Sequence, residues 1–184
     1  MSRPLIKGEK IVICKLHEPK NLVLQLSFSN PPEFFDIDLF TVMIDLENRI
    51  IKENIVFYNH TISSCHGVQY DEMTTEQGRQ KQVEITLQNI PDDISRIVFI
   101  GNIFKEIGST GAVESILLKF EALEHQLHRT VFQTIEDVDV QENNSIILGE
   151  LYRYKDSWKY HAIQNICRES SFQQLKTLYG ITVC

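Results

Sequence analysis

Short runs rich in isoleucine, valine, phenylalanine and tyrosine recur along almost the whole chain, each closed by turn residues, and this rhythm restricts the fold more than any other feature. The runs are KIVICKL from Lys10, NLVLQLSFS from Asn21, FDIDLFTVMID from Phe35, ENIVFYNH from Glu53, QVEITLQNI from Gln82, RIVFIGNIF from Arg96, ESILLKFEAL from Glu114, RTVFQTIED from Arg129, SIILGELYRY from Ser145 and SWKYHAI from Ser157. In the second run Leu22, Leu24, Leu26 and Phe28 share one parity, while Asn21, Gln25, Ser27 and Ser29 dominate the other. One side of that strand is core and the other is wet. Turn chemistry falls at HEPKN, SNPPE, DLENR, the loop around Gly67 to Gly78, NIPDD, GSTG, VQENN and YKDS. Strands so numerous cannot hide their apolar faces in one open sheet, so the sequence predicts an all-β fold, a β-sandwich of two mainly antiparallel sheets. ESSFQQLKTLYG is the exception: Phe172, Leu175, Leu178 and Tyr179 recur at helical spacing before Gly180, which predicts a short C-terminal helix. No linker, low-complexity tract or repeat calls for a second unit, and residues 1–184 read as a single domain.

The formal net charge of −7 argues against a nucleic-acid partner, since such proteins concentrate Lys and Arg against phosphates. The start, MSRPLIKGEKIVICKL, holds no apolar run long enough for a secretory signal, and no later stretch approaches a membrane span, so the expectation is a cytoplasmic protein without membrane insertion. The four cysteines, Cys14, Cys65, Cys167 and Cys184, lack CxxC spacing and read as reduced, mostly buried thiols.

One strand carries an unexpected acidic pair. In FDIDLFTVMID, Asp36 and Asp38 share a parity with Phe40, Val42 and Ile44, opposite Phe35, Ile37 and Leu39. That pattern predicts an inward row whose first members stand at the rim of the core, where loops, water or a cation can reach them.

FDIDLFTVMID followed by ENIVFYNH, then GELYR with a tight turn and WKYHAI, resembles the TerD domain, the tellurium-resistance and general stress-protein family of bacteria; the opening LIKGEKIVICKL and the closing LYGITVC are similar to its ends. The resemblance implies a two-sheet β-sandwich, a role in stress or toxic-anion resistance, calcium held by acidic loops at one end, and no catalytic residues. It also exposes a departure. The family's calcium loop resembles G-D-N-x-T-G-x-G-D-G-D-D-E, whereas here the region reads HGVQYDEMTTEQGRQKQVEITL, so that the D-D-E falls on Arg79, Gln80 and Lys81 and the D-N region near Tyr70, Asp71 and Glu72. Calcium takes six to eight oxygen ligands, and an ammonium offers none.

Three readings of the acidic rim follow. In one, Asp36, Asp38 and Asp71, with Glu72 and backbone carbonyls, retain a weakened Ca2+ site. In another, Lys81 or Arg79 enters the vacated place and pairs with Asp36 or Asp38. In the last, both aspartates are solvated or capped by loop amides.

The remaining motifs weigh less. HTISSCHG offers His60, Cys65 and His66, but adjacent residues of an extended chain face opposite sides and no second cysteine completes a zinc set. His125 and His128, near Glu121 and Glu124, read as hairpin-turn residues. Glu150 and Arg153 of GELYR have opposite parity, which argues against direct pairing; the plain reading is hairpin packing with a solvated Glu150, the alternative a ligand or partner contact. GSTGAVES lacks the lysine of a phosphate loop. The functional expectation is a non-enzymatic binding or scaffold protein with protein partners and a degenerate calcium site, or else a calcium-binding stress protein in which the ion orders segment 66–82.

Overall fold

The computed structural model describes residues 3–28, 35–75, 78–105, 115–127 and 129–183, with side chains for all of these but 74, 75, 78, 79 and 105. The turns expected at SNPPE and GSTG, as well as His128 and Cys184, lie outside the described residues.

The strands run in order β1 (Lys10–Lys15), β2 (Asn21–Phe28), β3 (Phe35–Asp45), β4 (Arg49–Ile50), β5 (Ile55–Val56), β6 (Val68–Thr75), β7 (Gly78–Thr86), β8 (Ile94–Lys105), β9 (Ser115–Glu124), β10 (Arg129–Asp139), β11 (Ser145–Tyr154) and β12 (Ser157–Cys167), followed by helix α1 (Ser171–Tyr179) and β13 (Thr182–Val183). Six of them form one sheet in the order β1-β12-β11-β8-β3-β5 and five form a second in the order β10-β9-β2-β7-β6. All neighbours within these two sheets are antiparallel, as the turn spacing predicts; β13 adds a short parallel pair with β4.

The apolar parity of β2 lands as the alternation requires. Leu22, Leu24 and Leu26 meet Ile37, Leu39, Phe99, Trp158 and Tyr160 in the layer between the sheets. Aromatic pairs cross the layer: Phe99 and Phe120 lie 5.5 Å apart, and Phe132 stacks on Tyr160 at 3.7 Å. Along one margin the N-terminal segment joins the two sheets, with Leu5 N–H donating to Gln133 on β10 at 2.8 Å and Gly8 N–H to Ala162 on β12 at 2.7 Å.

β3 departs from the expected single inward row. Ile37, Leu39 and Met43 belong to the layer between the sheets, whereas Val42 and Ile44 join Val98, Ile100 and Ile147 on the opposite face beneath Leu175 and Ile181, with Phe40 packed against them. A strand covered on both faces reads as a continuous apolar run, and here the second cover is α1. The helix stops where its sequence forecasts, at Gly180, which takes a left-handed φ of 64° that a side chain would disfavour, and at its start the Ser170 side chain accepts from Gln173 N–H. Its buried stripe differs, however. Phe172 and Leu178 stay exposed, while Gln174 is buried and donates to Ser145 Oγ at 2.6 Å.

Two further expectations are corrected. Most of the expected loop between Gly67 and Gly78 is strand β6, paired with β7 from Val68↔Ile85 to Thr75↔Gly78. ENIVFYNH contributes only the two residues of β5 before the chain turns between Phe57 and His60.

Candidate functional site

Lys81 occupies a position that the pattern of β7 reserves for an apolar residue. It stands between Leu26 on β2 and Glu72 on β6 in the sheet register and shares the parity of Val83 and Ile85. Only 2% of it is exposed. Its stem therefore lies in the apolar layer, and its ammonium has to find anions or incur a severe desolvation cost. It finds three: Asp36 Oδ2 at 3.0 Å, Glu72 Oε1 at 3.3 Å and Asp38 Oδ1 at 3.4 Å. The aspartates come from the part of β3 that has β8 on one side only, since β5 pairs with β3 at Thr41 and Val42 alone. Parity sets them opposite Ile37 and Leu39, yet at this open edge their carboxylates and the lysine converge. Tyr70 completes the group by donating to Glu72 Oε2 at 3.3 Å.

The electrostatics follow from one cation among several anions. Burial works against the charge of Lys81, but the hydrogen bond and charge of Asp36, with the charges of Glu72 and Asp38, outweigh it and hold its pKa above that of an ordinary lysine. Asp38 moves upward instead: burial is the main cause, Lys81 pulls it back, and the neighbouring Asp36 and Glu72 add to the rise. The Tyr70 hydroxyl is also pushed up, by burial first and then by Glu72.

Of the sequence-derived ligand set, Asp36 and Asp38 are together and Asp71 is apart. Asp71 has the parity opposite to Tyr70 and Glu72, is exposed, and accepts from the N–H of Glu72 at 2.8 Å. Glu72, itself exposed, shares the parity of Tyr70 and so reaches Lys81, a consequence of the two-residue period of β6. Calcium would need six to eight oxygens around a common centre. Here an ammonium sits amid the carboxylates, and among the described residues no group of three His, Cys, Asp or Glu side chains is placed to hold an ion. The described residues do not fit the ion. The Arg79 side chain, the other candidate cation, lies outside the described residues.

GELYR acquires roles that its sequence did not disclose. Glu150 is buried rather than solvated, with Arg96 Nη1 donating to it at 3.1 Å and His161 Nδ1 at 3.2 Å. Arg153 points elsewhere, as the parity argument anticipated. Its guanidinium stacks 4.6 Å over Trp158 and donates to the carbonyls of Ile90, Pro91 and Ile94, each at 3.0 Å, clamping the NIPDD turn. Lysine could satisfy only part of that planar fork. Arg153→Lys is therefore expected to cost about 2 kcal/mol in a urea melt, from buried carbonyls left unpaired.

The remaining candidates are scattered. His60 Nδ1 lies 2.7 Å from the carbonyl of Ile55, and Cys65 Sγ lies 3.4 Å from Ser63 Oγ. His125 approaches Glu84 at 3.9 Å, whereas Glu121 pairs with Lys119 and Glu124 with Lys20. Cys14, Cys65 and Cys167 are free thiols. No helix among the described residues is long and apolar enough to cross a membrane.

Comparisons with known proteins agree with this architecture. The chain is 25% identical to the tellurium resistance protein TerD of Alcaligenes sp over 174 residues, covering 89% of this chain and 90% of that protein. It is 22% identical to the stress response protein SCP2 of Bacillus subtilis over 150 residues, covering 78% and 74% respectively. The crystal structure of a homologue of telluride resistance protein TerD from Streptomyces coelicolor A3(2) superposes with a TM-score of 0.59 at 10% identity, over 90% of this chain and 100% of that one, which bears on the fold alone. The family model described as the TerD domain matches residues 1–179, and the chain belongs to the TerD domain family.

Proposed function

We propose that this protein is a non-catalytic, cytoplasmic binding or scaffold protein of a bacterial tellurium-resistance or stress response, in which Lys81 takes the place of a calcium ion. Family membership and the stress-response relatives support the role in broad terms. One observation carries the finer reading: the Lys81 ammonium, 2% exposed, among the carboxylates of Asp36, Asp38 and Glu72. An internal cation of this kind holds the acidic rim together at all calcium concentrations, so the binding surface is permanent and its availability is not gated by the ion. Arg153 and the paired Glu150 likewise serve to fix the sheet that carries the surface.

The expected result in a thermal melt is an unchanged midpoint in excess chelator and in millimolar calcium, with no heat of binding in calorimetry. A ligand that binds the folded state alone must raise the midpoint with its concentration. A calcium-dependent rise, abolished by Asp36→Asn, would establish the calcium-sensing alternative and end the present reading.

A further inference from the structure

Helix α1 covers only part of the outer face of the six-stranded sheet. Beneath it lie Val42, Val98, Ile100 and Ile147, with Ile163 at the margin. The face continues past Ile163 to β1 without that cover. The register aligns Val12 with Lys159 and Lys159 with Tyr152, and in the next row Lys10 with His161 and His161 with Glu150. Val12 is 61% exposed and Tyr154 48%. The ammonium of Lys159 lies 4.3 Å from the centre of the Tyr154 ring and that of Lys155 5.5 Å.

The charge on this face runs against that of the chain. The protein carries a formal net charge of −7, yet Lys10, Lys159 and Arg96 stand on this face; Glu150, in register with Lys10 across His161, is buried and already engaged by Arg96 and His161, and Asp156 lies beyond them in the hairpin turn. Neither Lys10 nor Lys159 forms an ion pair with a described residue. Lysines on an edge strand such as β1 can serve simply to discourage pairing with other strands. That purpose does not call for an exposed valine opposite Lys159 and an exposed tyrosine beneath its ammonium, whereas an aromatic anchor beside charge is what a binding surface uses.

We infer that the β1–β12 end of this sheet face docks an acidic polypeptide segment, with glutamates or aspartates against Lys10 and Lys159 and an apolar side chain against Val12 and Tyr154. The inference rests on the reading of the protein as a binding module and names the chemistry of its partner. It uses none of the Lys81 cluster, so the calcium melt and the experiment below fail independently.

The test is fluorescence anisotropy of the full chain with a labelled synthetic peptide in which glutamate alternates with leucine. Binding at low salt, weakened as salt rises, is expected. Lys10→Glu with Lys159→Glu should weaken it by about tenfold or more, while Lys52→Glu on another part of the surface leaves it unchanged. Thermal melts confirm folding of the reversed protein, and Lys10→Gln with Lys159→Gln replaces it if the reversal unfolds. Absence of binding, or equal binding to wild type and reversed protein, overturns the inference. So does equally tight binding of a labelled oligothymidylate, which would mean attraction to any polyanion. Self-association in sedimentation that the reversal removes would assign the face to a second copy and also overturn it.

Discussion

Lys81→Met is expected to lower stability by about 3 kcal/mol, because removing the buried ammonium takes from three carboxylates the cation they share. For a chain of this size that corresponds to a fall of about 6–12 °C in melting temperature. Methionine fills the stem's place between Leu26 and Glu72, so the loss reports the missing ammonium rather than a cavity. What remains is a set of carboxylates, Asp36, Asp38 and Glu72, that have lost the ammonium they share. Adding Asp36→Asn and Asp38→Asn to the methionine variant removes two of those charges and should restore part of the stability, giving a coupling energy that can be read from the cycle. Because the folded pKa of Lys81 lies above the unfolded one, its contribution is full below the ordinary lysine pKa of about 10.4 and disappears as pH climbs through the raised value. A methionine variant as stable as wild type at neutral pH would show that the aspartates do not depend on the lysine.

A single methyl group at Gly149 should be almost as damaging. A Cβ there would meet Tyr160 Oη at 2.2 Å, its Cζ at 2.5 Å and the carbonyl oxygen of His161 at 2.6 Å. Tyr160 cannot swing away, since it is fully buried and stacked on Phe132 at 3.7 Å. Gly149→Ala is expected to cost about 3 kcal/mol, the upper range for overpacking, measured by urea denaturation. Pairing it with Tyr160→Phe relieves only the hydroxyl contact and should recover a minor fraction, because the ring carbon and the His161 carbonyl still obstruct. A tolerated alanine would mean that β11 and β12 can separate at their bulge, where the register shifts between Ile147 and Gly149.

The glycine of GELYR was visible in the sequence, but its reason was not, since the obstructing tyrosine comes from the next strand. The same limit explains the other departures. β2 could be read directly because its wet face is polar but for Val23. β3 could not, because what covers Val42 and Ile44 is a helix that begins only at Ser171. β6 escaped notice because VQYDEMTT is mostly polar, although its Val68, Tyr70 and Glu72 share one parity, in register with Ile85, Val83 and Lys81. The two-residue period of that segment sets Glu72 rather than Asp71 beside the aspartates. Lys81 itself was legible as a departure from the family loop, and its position among the apolar residues of β7 was the signal that it faced inward. Glu150 looked solvated because its partner Arg96 is distant in sequence, and sequence parity cannot foresee which charges meet across strands.

The two long margins of the sandwich are fastened by different chemistry. Amide-to-carbonyl bonds at Leu5 and Gly8 stitch one margin, and such bonds carry no titratable proton. At the other margin a buried ammonium is held by carboxylates, so that fastening rests on charge. The layers thus have a spine and a fore-edge, like a bound book: the seam near the chain's beginning is tied backbone to backbone, while the opposite side is closed by side-chain charges and gives way first when Lys81 is replaced.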